Sequence, residues 1–217
     1  DQERYEETYP PLFEALSLFE SLEQKHQTCD IYGILSKSYI RERKLEEALD
    51  WSQRMLSLAQ QESYSVGIAN ALGNLGDIFR LQGQYPKALD YCVQRYQLAQ
   101  SLQDLLLLSK ALNVMGTVYF SHAESQFAIE CYQRALQTSL IIGHRLSICS
   151  PSLNLSSCLV SEAQWDAAEA FAHRAIRLAQ EMKLPNVEGM SHTVLSLSYT
   201  RQAEASKESH QSQLFSQ

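Results

Sequence analysis

Small and large apolar residues recur along this chain at a separation of forty residues. Four alanines show the spacing: Ala48, Ala88, Ala128 and Ala168. A small residue precedes each alanine by twelve positions: Ser36, Gly76, Gly116 and Ser156. A large residue lies directly before each small residue, and another lies three positions after it. Apolar residues three and four positions apart share one face of an α-helix, so the pattern predicts amphipathic helices.

The alternation of small and large residues indicates how these helices pack. Two antiparallel helices can approach closely only where both carry small side chains, and the large residue one turn later fills the space beside that contact. One helix pair cannot bury its apolar face alone, so neighbouring pairs must stack. The sequence therefore predicts an all-α fold built from stacked helix pairs.

The spacing also predicts where the pairs lie. Four full repeats are expected at residues 26–62, 66–102, 105–141 and 145–182. Half repeats are expected at 10–24 and at 186–203, the second on Leu195, Ser196 and Tyr199. We expect one domain over residues 1–204 and a Ser- and Gln-rich tail at 205–217 that is frayed or begins a further helix.

Several segments match a known family pattern. Residues 111–119 and 128–136 resemble the two helices of the tetratricopeptide repeat, and so do residues 72–79 with 82–88. The usual period of that family is about 34 residues. The period of forty is similar to the longer variety found in Pins-like polarity adaptors, rapsyn and kinesin light chains. The resemblance implies a right-handed superhelical solenoid that binds other proteins.

Some residues depart from the pattern. Arg95 and Met55 stand where later repeats have Ala135 and Ala175, and Ser125 replaces an aromatic residue. We expect the local packing to be disturbed at these positions.

Glycine and proline give signals about the helix ends. Gly83 and Gly143 lie at predicted helix ends, where a left-handed conformation is useful. Pro151 lies inside the predicted first helix of the fourth repeat, and we expect it to kink that helix or delay its start.

The charge distribution argues against two classes of partner. The net charge is -7, and residues 1–50 carry most of it. No basic block is present, which predicts that the chain does not bind nucleic acid. The longest apolar run, Leu105–Leu108, is too short for a membrane span, and the acidic N-terminus has no signal-peptide layout.

The 5 cysteines share no CxxC spacing, which favours reduced thiols and a cytoplasmic location.

The sequence contains no recognisable catalytic motif. It lacks a P-loop, a GxGxxG loop and the HExxH, CxxC and GxSxG signatures. The 6 histidines are scattered and are interpreted as ordinary surface or interface residues. We therefore predict that the chain is not an enzyme and has no catalytic residue, metal site or cofactor.

The family resemblance implies that a partner lies in a concave groove lined by the first helix of each pair. The candidate binding residues carried over in this way are Lys37, Arg41, Asn70, Asn74, Asp77, Arg80, Lys110, Asn113, Thr117, Asn154, Ser157 and Arg201. Asparagine can donate to a carbonyl and accept from an N–H, which suits recognition of an extended backbone. Ordinary solvated asparagines are the alternative interpretation. The basic members predict a partner with Asp, Glu or a free carboxylate.

Two functions remain open at this point. The first is a protein-interaction scaffold that belongs to a larger protein and binds a peptide or protein segment. The alternative is a regulatory sensor domain that binds a signalling peptide or small ligand and controls an attached effector. Both follow partly from the family resemblance, because a fold does not determine a function.

Overall fold

The structure is a computed structural model that describes residues 9–215, with side chains for residues 9–208. The described residues form α-helices and no strand, so the predicted fold class is confirmed. The helices are α1 (Tyr9–Ser21), α2 (Lys25–Arg41), α3 (Leu45–Gln61), α4 (Ser65–Leu81), α5 (Tyr85–Ser101), α6 (Leu105–Ser121), α7 (Ser125–Ile142), α8 (Arg145–Ser161), α9 (Trp165–Glu181) and α10 (Pro185–Phe215). Residues 1–8 of the predicted domain and 216–217 of the predicted tail lie outside the described residues.

The turns between these helices have a period of twenty residues. One residue with positive φ lies in each turn: Glu23, Arg43, Ser63, Gly83, Gln103, Ala123, Gly143, Ala163 and Lys183. Gly83 and Gly143 thus have the left-handed conformation that the sequence predicted, and the other seven adopt it without being glycine. The forty-residue sequence period therefore comprises two helix-and-turn units of twenty residues each.

The hydrogen bonds of a turn explain why its backbone is left-handed. After α4, the amide of Gly83 donates to the carbonyl of Arg80 (3.0 Å), and that of Gln84 donates to the carbonyl of Phe79 (2.8 Å). This pair of bonds is the Schellman motif, which requires a left-handed residue at the position of Gly83. The turn after α3 has the same two bonds, although its left-handed residue is Ser63.

The helices cluster into two compact units, one ending at Leu107 and the other beginning at Leu108. In the first unit, Ser36 Oγ donates to the carbonyl of Ala48 at 3.2 Å. A Cβ added at Gly76 would lie 3.6 Å from the carbonyl oxygen of Ala88. Small residues twelve positions before each alanine thus lie at the close approach of the two helices, as the packing argument requires.

The second unit shows the same approach. Ser156 Oγ donates to the carbonyl of Ala168 at 2.6 Å, and a Cβ added at Gly116 would lie 2.7 Å from the Tyr132 ring. Leu155 and Leu159 pack with residues of α7 in a buried cluster. The prediction that residues 1–204 form one domain stays a prediction.

Pro151 lies inside α8 and does not delay its start, because the helix begins at Arg145. A proline has no N–H and leaves the carbonyl four residues earlier without its helical donor. That carbonyl belongs to Ser147, and it accepts a hydrogen bond from Ser139 Oγ of α7 at 2.8 Å. The neighbouring helix therefore satisfies the acceptor that the proline leaves open.

The last helix differs from the sequence prediction. We expected a half repeat over residues 186–203 and then a tail at 205–217 that is frayed or begins a further helix. In the structure one helix, α10, runs from Pro185 to Phe215. The segment 202–204 reads Gln-Ala-Glu, all good helix formers, so nothing there favours a turn. Ser196 occupies the small-residue position of the repeat, yet it is exposed.

Position within the twenty-residue period decides the effect of replacing alanine by glycine. Ala123 and Ala163 have φ of 62° and 55°, a conformation that costs a residue with Cβ about 1–2 kcal/mol. We expect Ala163→Gly to raise the free energy of unfolding by about 1 kcal/mol. Urea denaturation followed by circular dichroism measures this change.

Ala203 is the matched control, because it lies forty residues after Ala163 but inside α10. Ala203→Gly is expected to lower the free energy of unfolding by up to about 1 kcal/mol, since glycine weakens a helix interior. Equal signs for the two substitutions would contradict the left-handed turn at residue 163.

Candidate binding surface

The candidate surface is formed by the first helix of each pair. In the first unit α2 packs against α4, and in the second α8 packs against α10. A hydrogen bond between Asn113 and Asn154 joins α6 to α8. We call these surfaces the first-helix faces, one in each unit.

On the first unit's face, the predicted residues differ in their burial and in their ion pairs. Lys37 and Arg41 are exposed, and Asn70 is half-buried. Asp77 and Arg80 form an ion pair in which Nη2 lies 3.2 Å from Oδ1. Both residues are half-buried, and an ion pair near the surface contributes about 1 kcal/mol or less. The pair nevertheless already occupies the charge of Arg80 that the sequence assigned to a partner.

Asn74 is the predicted residue of this face that is buried, with 4% of its surface exposed. Its Nδ2 has no hydrogen-bond partner. An enclosed donor without a partner costs about 1–3 kcal/mol. Such an atom is a candidate contact for a ligand that supplies an acceptor.

The second unit's face brings two of the predicted asparagines together. Asn154 Nδ2 donates to Asn113 Oδ1 at 3.1 Å, and both residues are half-buried. Each amide has an NH2 donor group and an acceptor oxygen. The bond between them uses one N–H of Asn154 and the oxygen of Asn113. Donors and an acceptor remain for another molecule.

The other predicted residues of this face serve different purposes. Thr117 Oγ1 donates to the carbonyl of Asn113 at 3.0 Å and accepts from Tyr132 Oη at 3.3 Å. Ser157 Oγ donates to the carbonyl of Leu153 at 3.1 Å. Both hydroxyls are therefore used within the fold. Lys110 and Arg201 are exposed.

Arg95 on α5 lies beneath the first unit's face, although in the sequence it stands out only as a departure from the repeat pattern. Its side chain is 7% exposed, and its Nε has no hydrogen-bond partner. The guanidinium lies under Gly73 of α4, where an added Cβ would be 2.6 Å from Nη1. Burial lowers the pKa of Arg95, but arginine stays charged at neutral pH.

Arg95 fits because the residue that faces it on the first helix, Gly73, has no side chain. Met55 lies under Gly33 in the same way, with Cε 2.9 Å from where a Cβ would be. Twenty-two positions separate Gly33 from Met55 and Gly73 from Arg95. In the next two repeats the sizes are reversed, with the large residue on the first helix and the small one on the second: Asn113 with Ala135, and Leu153 with Ala175. The expected disturbance of packing at Arg95 and Met55 is therefore avoided, because a glycine faces each long side chain.

The described residues offer no assembled metal or redox chemistry. They contain no group of three or more His, Cys, Asp or Glu that could hold a metal ion. The five cysteines are buried and form no disulfide, and burial raises the pKa of Cys29, Cys131 and Cys158 to about 11. Among the helices that the structure describes, none combines the length and the apolar composition of a membrane span. The absence of enzymatic activity stays a prediction.

Comparison with known proteins identifies the repeat and the fold. The family model of the tetratricopeptide repeat matches residues 27–101 and 67–140, which together cover more than half of the chain. No curated protein sequence matches. BtubC from P. vanneervenii has a similar structure, with a TM-score of 0.65 and 20% identity over 84% of this chain and 76% of BtubC.

Two further solved structures are similar over nearly the whole chain. Aspartyl phosphate phosphatase F from Bacillus subtilis gives a TM-score of 0.75 at 15% identity, covering 94% of this chain and 54% of the phosphatase. A Rap protein complexed with Competence and Sporulation Factor gives 0.71 at 12% identity, covering 94% of this chain and 62% of that protein. This chain thus spans less than two thirds of either, and identities this low show the fold alone.

The raised thiol pKa values predict slow alkylation in the native state. The thiolate is the reacting species, and a pKa of about 11 at Cys29, Cys131 and Cys158 leaves about one thiol in a thousand ionised at pH 8. We expect iodoacetamide to modify these cysteines only after denaturation, as measured by intact mass. Rapid native modification of any of the three would contradict their burial.

The contact between Gly73 and Arg95 predicts that the effect of Gly73→Ala on the free energy of unfolding depends on the residue at position 95. Gly73→Ala is expected to lower the free energy of unfolding by about 1 kcal/mol, because the methyl displaces a buried guanidinium. In an Arg95→Ala background the clash is gone, and we expect Gly73→Ala to be stabilising by about 1 kcal/mol through helix propensity.

Urea denaturation of the four proteins in this cycle measures both effects. The same sign in both backgrounds would show that the guanidinium does not lie against Gly73.

Proposed function

This chain belongs to the tetratricopeptide repeat family, and we propose that it is a protein-interaction module whose first-helix faces hold an extended segment of a partner. The observation that carries the proposal is the asparagine pair of the second unit. Asn113 and Asn154 fix each other's amides through one hydrogen bond at 3.1 Å, and hydrogen-bonding groups of both remain for a partner's backbone.

Positioned amides suit main-chain recognition better than mobile ones. An asparagine that is already held loses less side-chain entropy when a ligand arrives. The remaining donor and acceptor can meet the C=O and N–H of an extended chain, which offers both groups at every residue other than proline. The half-burial of the pair strengthens such bonds, because less water competes for them.

The charges of the faces support a partner with acidic residues. Lys37 and Arg41 are exposed on the first unit, and Lys110 and Arg201 are exposed on the second. An acidic segment would approach these groups faster at low salt, because exposed charges steer association and salt screens them. Arg80 is less suited to this role, since Asp77 accepts from its guanidinium.

A regulatory sensor is the second candidate function. The Rap protein that is similar in structure was solved in a complex with Competence and Sporulation Factor. By analogy, this chain would bind a signalling factor and pass the bound state to an attached domain. Compaction on ligand binding, seen by solution scattering, would favour the sensor over a scaffold.

Replacing both asparagines tests the proposed site. The double substitution Asn113→Ala/Asn154→Ala removes about two hydrogen bonds to a partner, and we expect partner recovery or affinity to fall about 30-fold. The measurement is capture from native extract followed by mass spectrometry, and then titration of the recovered partner. Circular dichroism must first show that the variant keeps its helical content.

Asn186→Ala is the matched control, because Asn186 is exposed in the first turn of α10, a different helix from those of Asn113 and Asn154. It makes the same chemical change and should leave binding intact. A partner held equally by the wild type and the double variant would refute the asparagine pair as its site.

A further inference from the structure

A cavity of about 360 Å³ opens beside the first turn of α9 in the second unit. We call it the Trp165 cavity. Its walls come from the turn between α8 and α9, from the start of α9 and from α10, and they are Ala163, Gln164, Trp165, Asp166, Ala167 and Gln202. The volume lies in the range of ligand-binding pockets. None of these residues is among the predicted binding residues of the first-helix faces, so the proposed function does not use this cavity.

The Trp165 cavity forms where α10 runs straight past the point at which earlier first helices end. The helices α6 and α8 end at Ser121 and Ser161, whereas α10 continues through the corresponding residues. A helix that folded back there would bring Glu208 to the repeat position of Ala168, which is fully buried. Burying an unpaired carboxylate at that position would be costly. Gln202 instead stays within α10 and forms one wall of the cavity.

The walls combine apolar surface with one full charge. The two alanines and the Trp165 ring supply hydrocarbon, and the two glutamine amides supply oxygens that can accept hydrogen bonds. The carboxylate of Asp166 is exposed, and none of the described side chains pairs with it. Lysine and arginine match such a cavity, because each has a long apolar stem and a charged end that donates to carboxylates.

The surrounding charges also favour a cation. Residues 161–173 contain the acidic side chains Glu162, Asp166 and Glu169 and no lysine or arginine. Arg201 precedes Gln202 in α10 but does not line the cavity. The N-terminus of α9 contributes a positive partial charge of about half a unit, which the single carboxylate of Asp166 already exceeds. The electrostatic field at the cavity therefore attracts cations and repels anions.

Other aromatic rings of this chain already have a cation of their own. The guanidinium of Arg54 lies 4.8 Å from the ring centroid of Trp51, and Lys87 Nζ lies 5.4 Å from that of Phe79. Trp165 has no such contact with any of the described residues. A cation near an indole ring is attracted by its π-system, so the Trp165 ring is available to a cation that another molecule supplies.

We propose that the Trp165 cavity is a second contact site of this chain, which takes one lysine or arginine side chain of a protein partner. The stem lies along the apolar walls, and the charged end pairs with Asp166. This site goes beyond the proposed function, because it uses other residues and selects the opposite charge from the one expected at the first-helix faces. Lysine and arginine share the required chemistry, and the test separates them.

The two tryptophans of the chain make the cavity observable by NMR, because each gives one indole N–H signal. The variant Trp51→Phe assigns the signal of Trp165, and the Trp51 signal serves as an internal reference. Four acetylated and amidated pentapeptides of alanine, with lysine, arginine, norleucine or citrulline at the centre, are titrated into the whole chain at constant ionic strength. Norleucine and citrulline are the uncharged counterparts of lysine and arginine.

We expect the lysine or the arginine peptide to shift the Trp165 signal at millimolar concentrations, and the tighter of the two identifies the preferred side chain. Its neutral counterpart should bind at least about tenfold more weakly, because the charge-assisted pair is lost. Asp166→Asn should bring the charged and neutral peptides within about threefold of each other. Asp90→Asn, at an exposed position of α5 in the first unit, makes the same change in net charge and should keep the preference.

Three results would overturn the proposal. The Trp165 signal could stay unchanged with both charged peptides at tens of millimolar, which would show that the cavity takes neither side chain. A neutral peptide that binds as tightly as its charged counterpart would refute recognition of the cation. An Asp166→Asn variant that keeps its melting temperature and its charge preference would refute the role of Asp166. None of these results bears on Asn113 and Asn154, so the proposed function stands or falls by its own test.

Discussion

The close approach of two helices at one pair of small residues is the contact on which each repeat depends. Ser36 and Ser156 donate directly to the backbone of Ala48 and Ala168, which a larger side chain on either helix would prevent. The large residues of the apolar pattern then pack around the contact. A helix pair that forms this contact still buries only part of its apolar surface. Each pair must therefore stack on the next.

The sequence predicts this framework well, and it fails where a feature depends on two distant positions at once. The spacing between small residues and alanines predicted the helix pairs, because it reflects contacts within one pair. Left-handed backbone at Arg43 or Gln103 could not be predicted, since the hydrogen bonds of the turn impose it on residues that do not favour it. The bond from Ser139 to the carbonyl of Ser147 was equally hidden, because nothing in the sequence links that serine to Pro151.

The candidate site shows the same division. The positions of the face residues followed from helical spacing, whereas their availability did not. Whether Arg80 is paired, or Asn74 lacks a partner, depends on side-chain orientation. Arg95 was noticed as an exception, but its meaning required reading it together with Gly73, twenty-two positions earlier. The signal in the sequence is a small residue twenty-two positions before an unexpectedly large one.

The turns that recur every twenty residues also affect how the chain folds and evolves. Each turn closes its own hydrogen bonds within six residues, and the helices pack against neighbours one or two elements away. Structure dominated by such local contacts folds quickly and can nucleate in more than one place. A genetic duplication or deletion of forty residues would join one intact turn to another, so the repeat is also a unit in which this chain can gain or lose length.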